Sequence, residues 1–178
     1  QLLNQVSGIK NISRIQASRD ARPLDKTVDE LIAYFSALPL EFPSGTQWQY
    51  SNSNYILLTK VIEVVSGMSY GDYMKKHIFD PLNMINTQYG NRFPIIANRA
   101  RGYRMNNGEL ENANYISMTQ PQGAGALIST IDDLNLWDQA LNSEMLVSKE
   151  MFDLASTPVE LPEGKSFMYG FGWILPKV

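Results

Sequence analysis

The sequence has no cysteine and a single histidine, His77. The first absence excludes disulfides, thiolate catalysis and cysteine-held metals. With one histidine as well, a catalytic zinc site is not expected, and no cofactor is called for. No apolar run approaches the roughly 20 residues of a membrane-crossing helix. Gln1-Leu2-Leu3-Asn4-Gln5 lacks the basic start and apolar stretch of a secretory leader, so the residues leave the compartment open. An excess of positive charge is missing too: 15 Lys and Arg stand against 18 Asp and Glu, a net charge of -3. Nucleic acid and anionic membrane surfaces therefore have no electrostatic claim as partners.

What is present is an ordinary globular balance, 44% hydrophobic and 19% charged over 178 residues. That suits one domain, or a domain with a subdomain, and suffices for a sizeable core. Residues 1–6 read as a short helix stopped by Gly8, and 11–26 as an exposed polar loop. Thr27 and Glu30 form a capping box, and Val28, Leu31, Ile32, Phe35 and Leu38 follow on one helical face until Pro39. A longer helix is expected over 53–66, burying Tyr55, Leu58, Val61, Ile62 and Val65, with Gly67 as its left-handed cap. Ser69 and Asp72 open another helix that runs to about Phe79, before Asp80-Pro81. No helical period is visible over 82–122, where 103–110 reads as a β-hairpin turning at Asn107-Gly108. Gly123-Ala124-Gly125-Ala126 permits close backbone packing. Thr130 caps a helix bearing Leu134, Trp137 and Leu141, Ser148 starts a last short one, and 169–175 reads as a brief strand.

Several segments, in order, resemble the serine β-lactamase-like or penicillin-recognising family, which includes class C β-lactamases, D-alanyl-D-alanine peptidases and related esterases. Leu2-Leu3-Asn4-Gln5-Val6-Ser7-Gly8 is similar to the family's Leu-Leu-x-His-x-Ser-Gly, with Gln5 in place of the histidine. Phe42-Pro43-Ser44-Gly45-Thr46 followed by Tyr50-Ser51-Asn52 carries the strongest likeness. Pro81-Leu82-Asn83-Met84, Gly123 to Thr130 and Tyr169-Gly170-Phe171-Gly172-Trp173 extend it over nearly the whole chain. The family's chemistry uses a Ser-x-x-Lys nucleophile, a Tyr-x-Asn loop and a Lys-Thr-Gly or His-x-Gly strand. Only the second is identified here. The resemblance implies that Tyr50 is the general base and that Asn52 binds the substrate amide. A phenol with an ordinary pKa of about 10 needs cationic neighbours for that role, and in the family those neighbours lie on the other motifs.

Other spellings of catalytic motifs have plainer readings. Ser7-Gly8-Ile9-Lys10 spells Ser-x-x-Lys, but glycine follows the serine where a helix is expected to end. Gly67-Met68-Ser69-Tyr70-Gly71 spells a nucleophile elbow, which requires a preceding strand rather than a helix; Ser69 is better read as an N-cap. His77 lies two helical turns from Ser69, on the order of 12 Å away, and suits a helix C-terminus. Asp132 and Asp133 are adjacent on a helix and diverge. Gly123-Ala124-Gly125 lacks the pattern of a nucleotide loop.

The expectation is thus a single, partial β-lactamase-like domain over 1–178: mainly α with minor β, the helical subdomain of an α+β fold without most of its central antiparallel sheet. Two functions are weighed. One is the Tyr-x-Asn side of a serine acyl hydrolase that takes a small acyl substrate and is inactive alone. The other is a non-catalytic helical binding or assembly module. An uncovered apolar face would drive it into a homodimer or a swapped assembly. Family members commonly work outside the cytoplasm.

Overall fold

A computed structural model describes residues 1–90 and 93–176. Six α-helices lie in it: α1 (Gln16–Asp20), α2 (Val28–Ala33), α3 (Asn52–Ser66), α4 (Tyr70–Met74), α5 (Ile131–Leu141) and α6 (Lys149–Ala155). Six short strands pair as three antiparallel ladders. β1 (Gln88–Tyr89) pairs with β4 (Leu127–Ile128), β2 (Tyr103–Asn106) with β3 (Glu109–Asn112), and β5 (Val159–Glu160) with β6 (Ser166–Phe167).

The helix starts follow from their caps. Thr27 accepts the N–H of Glu30 while the Glu30 side chain takes the N–H of Thr27, a complete capping box. Ser69, Thr130 and Ser148 cap α4, α5 and α6 through the N–H groups of Asp72, Asp133 and Met151. Gly67 ends α3 in the left-handed region. Past Met74 the chain winds on as a π-helical turn over Lys75–Phe79. In the β2–β3 hairpin, Asn107 and Gly108 both take positive φ, 48° and 86°, the pair of values a type I′ turn requires.

Two apolar clusters form the core. One joins Ile12, Val28, Leu31, Phe35 and Ile56; the other joins Phe79, Leu82, Met84 and Ala140. The glycine-rich 3₁₀ turn Gln122–Ala124 packs against α3, where a Cβ on Gly123 would lie 2.6 Å from the Thr59 hydroxyl. The Gly123 N–H instead donates to that hydroxyl at 2.9 Å.

Several expectations need correction. The chain is not mainly α: helices take up 36% and strands 10%, so more than half of it is turns and loops, held by side-chain hydrogen bonds. Residues 1–6 form turns rather than a helix, because Gln5 takes a positive φ of 63°. The polar segment 11–26 is no exposed loop: it folds into a 3₁₀ turn (Ile12–Arg14) and α1, and it buries Asn11, Ile12, Ser18 and Ala21. The buried face of α3 is also turned. Ser53, Asn54, Ile56 and Thr59 point inward, while Val61 is 50% exposed and Val65 82%. Buried hydroxyls and amides, invisible to an apolar period, decide that orientation. On α5, Leu134 is exposed and the fully buried residues are Asp133 and Ala140, while Trp137 packs against the second cluster as expected. Leu38 is likewise exposed, and 169–175 contains only a bridge between Tyr169 and Ile174.

Candidate functional site

Tyr50, Ser51 and Asn52 lead into α3, with Ser51 as N-cap and Asn52 as the first helical residue. The Ser51 side chain makes no capping hydrogen bond. Other residues hold the loop from below. Gln5, fully buried, accepts the Ser51 N–H at 2.9 Å and the Asn54 side-chain amide at 2.6 Å through Oε1. The Asn11 carboxamide donates to the Tyr50 carbonyl and accepts the Asn52 N–H, both at 3.3 Å. Ser53 closes the base by donating to the Lys10 carbonyl at 2.7 Å and accepting the Ile12 N–H at 2.9 Å.

Above this base the side chains diverge in their company. Tyr50 is 44% exposed. Burial, and then Tyr169 beside it, push its phenol above the ordinary value. Tyr55, whose hydroxyl donates to the Leu3 carbonyl at 3.0 Å, is driven further up by burial and the same neighbour. Trp48 stacks on Phe167 at 3.8 Å and tilts against Tyr169 at 5.5 Å. The segment 166–175 thus builds an aromatic wall beside Tyr50. Asn52 donates through Nδ2 to the Ser13 hydroxyl at 2.9 Å. It lines a cavity of about 160 Å³ with Ser13, Ser18, Arg22 and Gln120.

The remaining motif residues are accounted for structurally. Ser7 is buried, donates to Asn54 Oδ1 at 2.6 Å and accepts the Ile9 N–H at 3.1 Å. It stands in a turn, not on a helix with Lys10. Ser69 is an N-cap that also donates to Asp72 at 2.6 Å. His77 is exposed and lies against the Tyr73 ring. Asp133, 2% exposed, accepts the Thr87 hydroxyl at 2.7 Å and the Asn86 N–H at 2.8 Å, whereas Asp132 faces solvent. A larger cavity of about 790 Å³ near α4 and β1 contains neither Tyr50 nor Asn52. Three of its carboxylates are already engaged: Asp29 by Lys60, Asp80 by Lys75 and Asp72 by Ser69. We place the candidate site at the Tyr50 loop, where buried groups fix the backbone. Among the described residues no His, Cys, Asp and Glu cluster could hold a metal, and no helix is long and apolar enough to cross a membrane.

Gln5 and Asn11 were not singled out by the sequence as site residues. Gln5 stood out only as a substitution within a motif, and Asn11 sat in what read as a solvated loop.

The chain belongs to the β-lactamase family, whose model matches residues 1–177. It is similar to penicillin-binding protein 4* of Bacillus subtilis (strain 168), 38% identical over 146 residues, 75% of this chain and 32% of that protein. Its fold superimposes on a D-stereospecific amidohydrolase from Streptomyces sp. with a TM-score of 0.80 and 27% identity, over 97% of this chain and 54% of that one. An octameric penicillin-binding protein homologue from Pyrococcus abyssi aligns with a TM-score of 0.72 and 30% identity, over 96% and 41% of the two chains. The chain therefore spans about a third of the curated relative's length. The likeness to β-lactamase-like folds covers 96–97% of this chain, helices, hairpin and loops alike, and so corrects the expectation of a helical subdomain alone.

Proposed function

We propose that this chain supplies the Tyr50 and Asn52 wall of a serine acyl hydrolase site, with the nucleophile provided from outside the segment. The observation that carries the reading is the Tyr50-Ser51-Asn52 loop, fixed at the start of α3 by buried amides while the Tyr50 ring stays accessible. In this role Tyr50 accepts the proton of the attacking serine and returns it to the leaving group, and Asn52 orients the substrate amide. Burial and Tyr169 raise the phenol here, the wrong direction for a base. A cation brought beside Tyr50 by the rest of the fold is needed to lower it. Neither Ser7 nor Ser69 suits the nucleophile's part: Ser7 is buried and donates to an amide oxygen, which is no base, and Ser69 is the N-cap of α4, bonded to Asp72 three residues on. The substrate class is an amide or ester of small size: a β-lactam, a D-alanyl peptide or a simple ester. The name of the Streptomyces amidohydrolase favours a D-configured amide.

The test is intact mass after incubation with a fluorophosphonate and, separately, a penicillin. The chain alone is expected to stay unmodified; an adduct on Ser7 or Ser69 would overturn the reading. Joined to segments carrying Ser-x-x-Lys and Lys-Thr-Gly, it is expected to acylate, and Tyr50→Phe is expected to slow that step roughly 10²–10⁴-fold. Acylation untouched by Tyr50→Phe would remove Tyr50 from the mechanism.

A second reading, assembly with another copy, is favoured by one observation. Val61, Val64 and Val65 are 50%, 70% and 82% exposed on α3, and exposed apolar residues grouped on one element promote association.

A further inference from the structure

We propose that Gln5 and Asn11 are positioning residues that clamp the backbone on both sides of Tyr50 and so set where Tyr50 and Asn52 stand, an inference resting on the reading of this loop as one wall of an acyl-transfer site.

Gln5 grips the loop twice. Its backbone carbonyl accepts the Gln49 N–H at 3.0 Å, and its side-chain Oε1 accepts the Ser51 N–H at 2.9 Å. Tyr50 lies between these two anchors. To reach both, Gln5 adopts a left-handed φ of 63°, a conformation costly for a residue with a Cβ. It is also wholly buried, and such strain persists only where surrounding contacts hold it. Asn11 completes the clamp: Nδ2 donates to the Tyr50 carbonyl, and Oδ1 accepts the Asn52 N–H. The two carboxamides thus engage the backbone of three consecutive residues, 50 to 52, and the Gln5 carbonyl adds residue 49. The Ser51 hydroxyl, the usual candidate for holding a helix start, has no partner, so the clamp takes over that work. Ser13 then ties down Asn52 Nδ2, which leaves the amide oxygen to receive a substrate N–H.

Only one end of the Gln5 amide does this. Oε1 carries two hydrogen bonds, while Nε2 has no partner. Gln5→Glu keeps the working acceptor when its carboxyl is neutral, the form burial favours, so exchange is read at mildly acid pH; Gln5→Leu removes the acceptor at similar size.

The experiment is native-state amide exchange on this chain. Gln5→Leu is expected to speed exchange of the Ser51 N–H by about tenfold, the factor for one lost hydrogen bond. The N–H groups of Gly123 and Asn86, held by Thr59 and Asp133, should keep their rates. Gln5→Glu should restore Ser51 to near the parent rate, and Asn11→Ala should release the Asn52 N–H in the same selective way. The Tyr50 phenol, followed by its ¹³Cζ shift, should titrate nearer its ordinary value in Gln5→Leu as the ring loses its partial burial and then its neighbour Tyr169. Unchanged Ser51 exchange, acceleration shared equally with Gly123 and Asn86, or no rescue by glutamate would overturn the clamp. Exchange is read without any substrate. A failure to restore acylation would therefore sink the proposed function and leave the clamp standing.

Discussion

At Gly8 the chain takes a φ of 78°, and a Cβ there would overlap the Phe42 carbonyl oxygen. The close approach serves a purpose. The Gly8 carbonyl accepts the Glu41 N–H at 2.7 Å, and the Val6 carbonyl accepts the Gly45 N–H at 2.7 Å. Residues 5–8 are thereby laid along 41–49 beneath the Tyr50 loop. Gly8→Ala is expected to destabilise the fold by at least about 2 kcal/mol, from the strained dihedral and the steric overlap together. Urea denaturation measures it, and a loss below about 0.5 kcal/mol would show that the contact relaxes freely. The sequence marks this glycine as the stop of a helix over 1–6, but those residues are turns and there is no helix for it to end. Its partner Phe42 is remote in sequence, and no local pattern reports an approach of that kind. The same holds for Gln5 and Asn11, whose acceptors and donors lie about forty positions along the chain. Tyr50 and Asn52 themselves were legible only through resemblance to a family, since neither spacing nor composition marks a tyrosine as a base.

Among elements, α5 shows how one carboxylate joins a helix to a strand. Asp133 gives its N–H to the Thr130 cap while its side chain receives Thr87 and Asn86, just before β1. Burial alone would raise its pKa, but the hydrogen bonds from Thr87, Asn86 and Thr130 outweigh burial and hold it below the usual carboxylate value. A carboxyl depressed in the folded state stabilises above its unfolded pKa, near 3.9, and loses that contribution as pH falls through the lower folded value. Asp133→Asn is therefore expected to lower the melting temperature at pH 7 and to flatten its decline on the acid side of about pH 4. A parallel acid limb in parent and variant would show that Asp133 does not supply this pH dependence. Helix starts were well marked in the sequence, because a cap and its partner sit three residues apart. The inward face of α3 was not, since hydrogen-bonded polar groups rather than apolar spacing choose it; on α5 the spacing found Trp137 but not Asp133.

For the whole molecule, two separate apolar clusters and three short ladders make a surface rich in exposed apolar side chains, among them Ile85, Ile131 and Ile174. The relatives carry more chain than this one. We expect the isolated chain to self-associate in light scattering as concentration rises, and the double substitution Val64→Lys with Val65→Lys to reduce that without lowering the melting temperature. A stable monomer at high concentration counts against the assembly reading. Membership of the family was legible because its motifs are ordered and spread along the chain. The balance of secondary structure was misjudged because strands of two residues leave no alternating pattern to read.

The inward face of α3 has one more consequence. An apolar helix face is positioned by shape alone, whereas a hydrogen bond also demands direction. Ser53, Asn54 and Thr59 meet named atoms instead, and rotating the helix by a single residue would miss all of them together. The helix is thus keyed like a toothed shaft. Substitutions elsewhere that merely loosen packing should leave the residue at its tip aimed in the same direction.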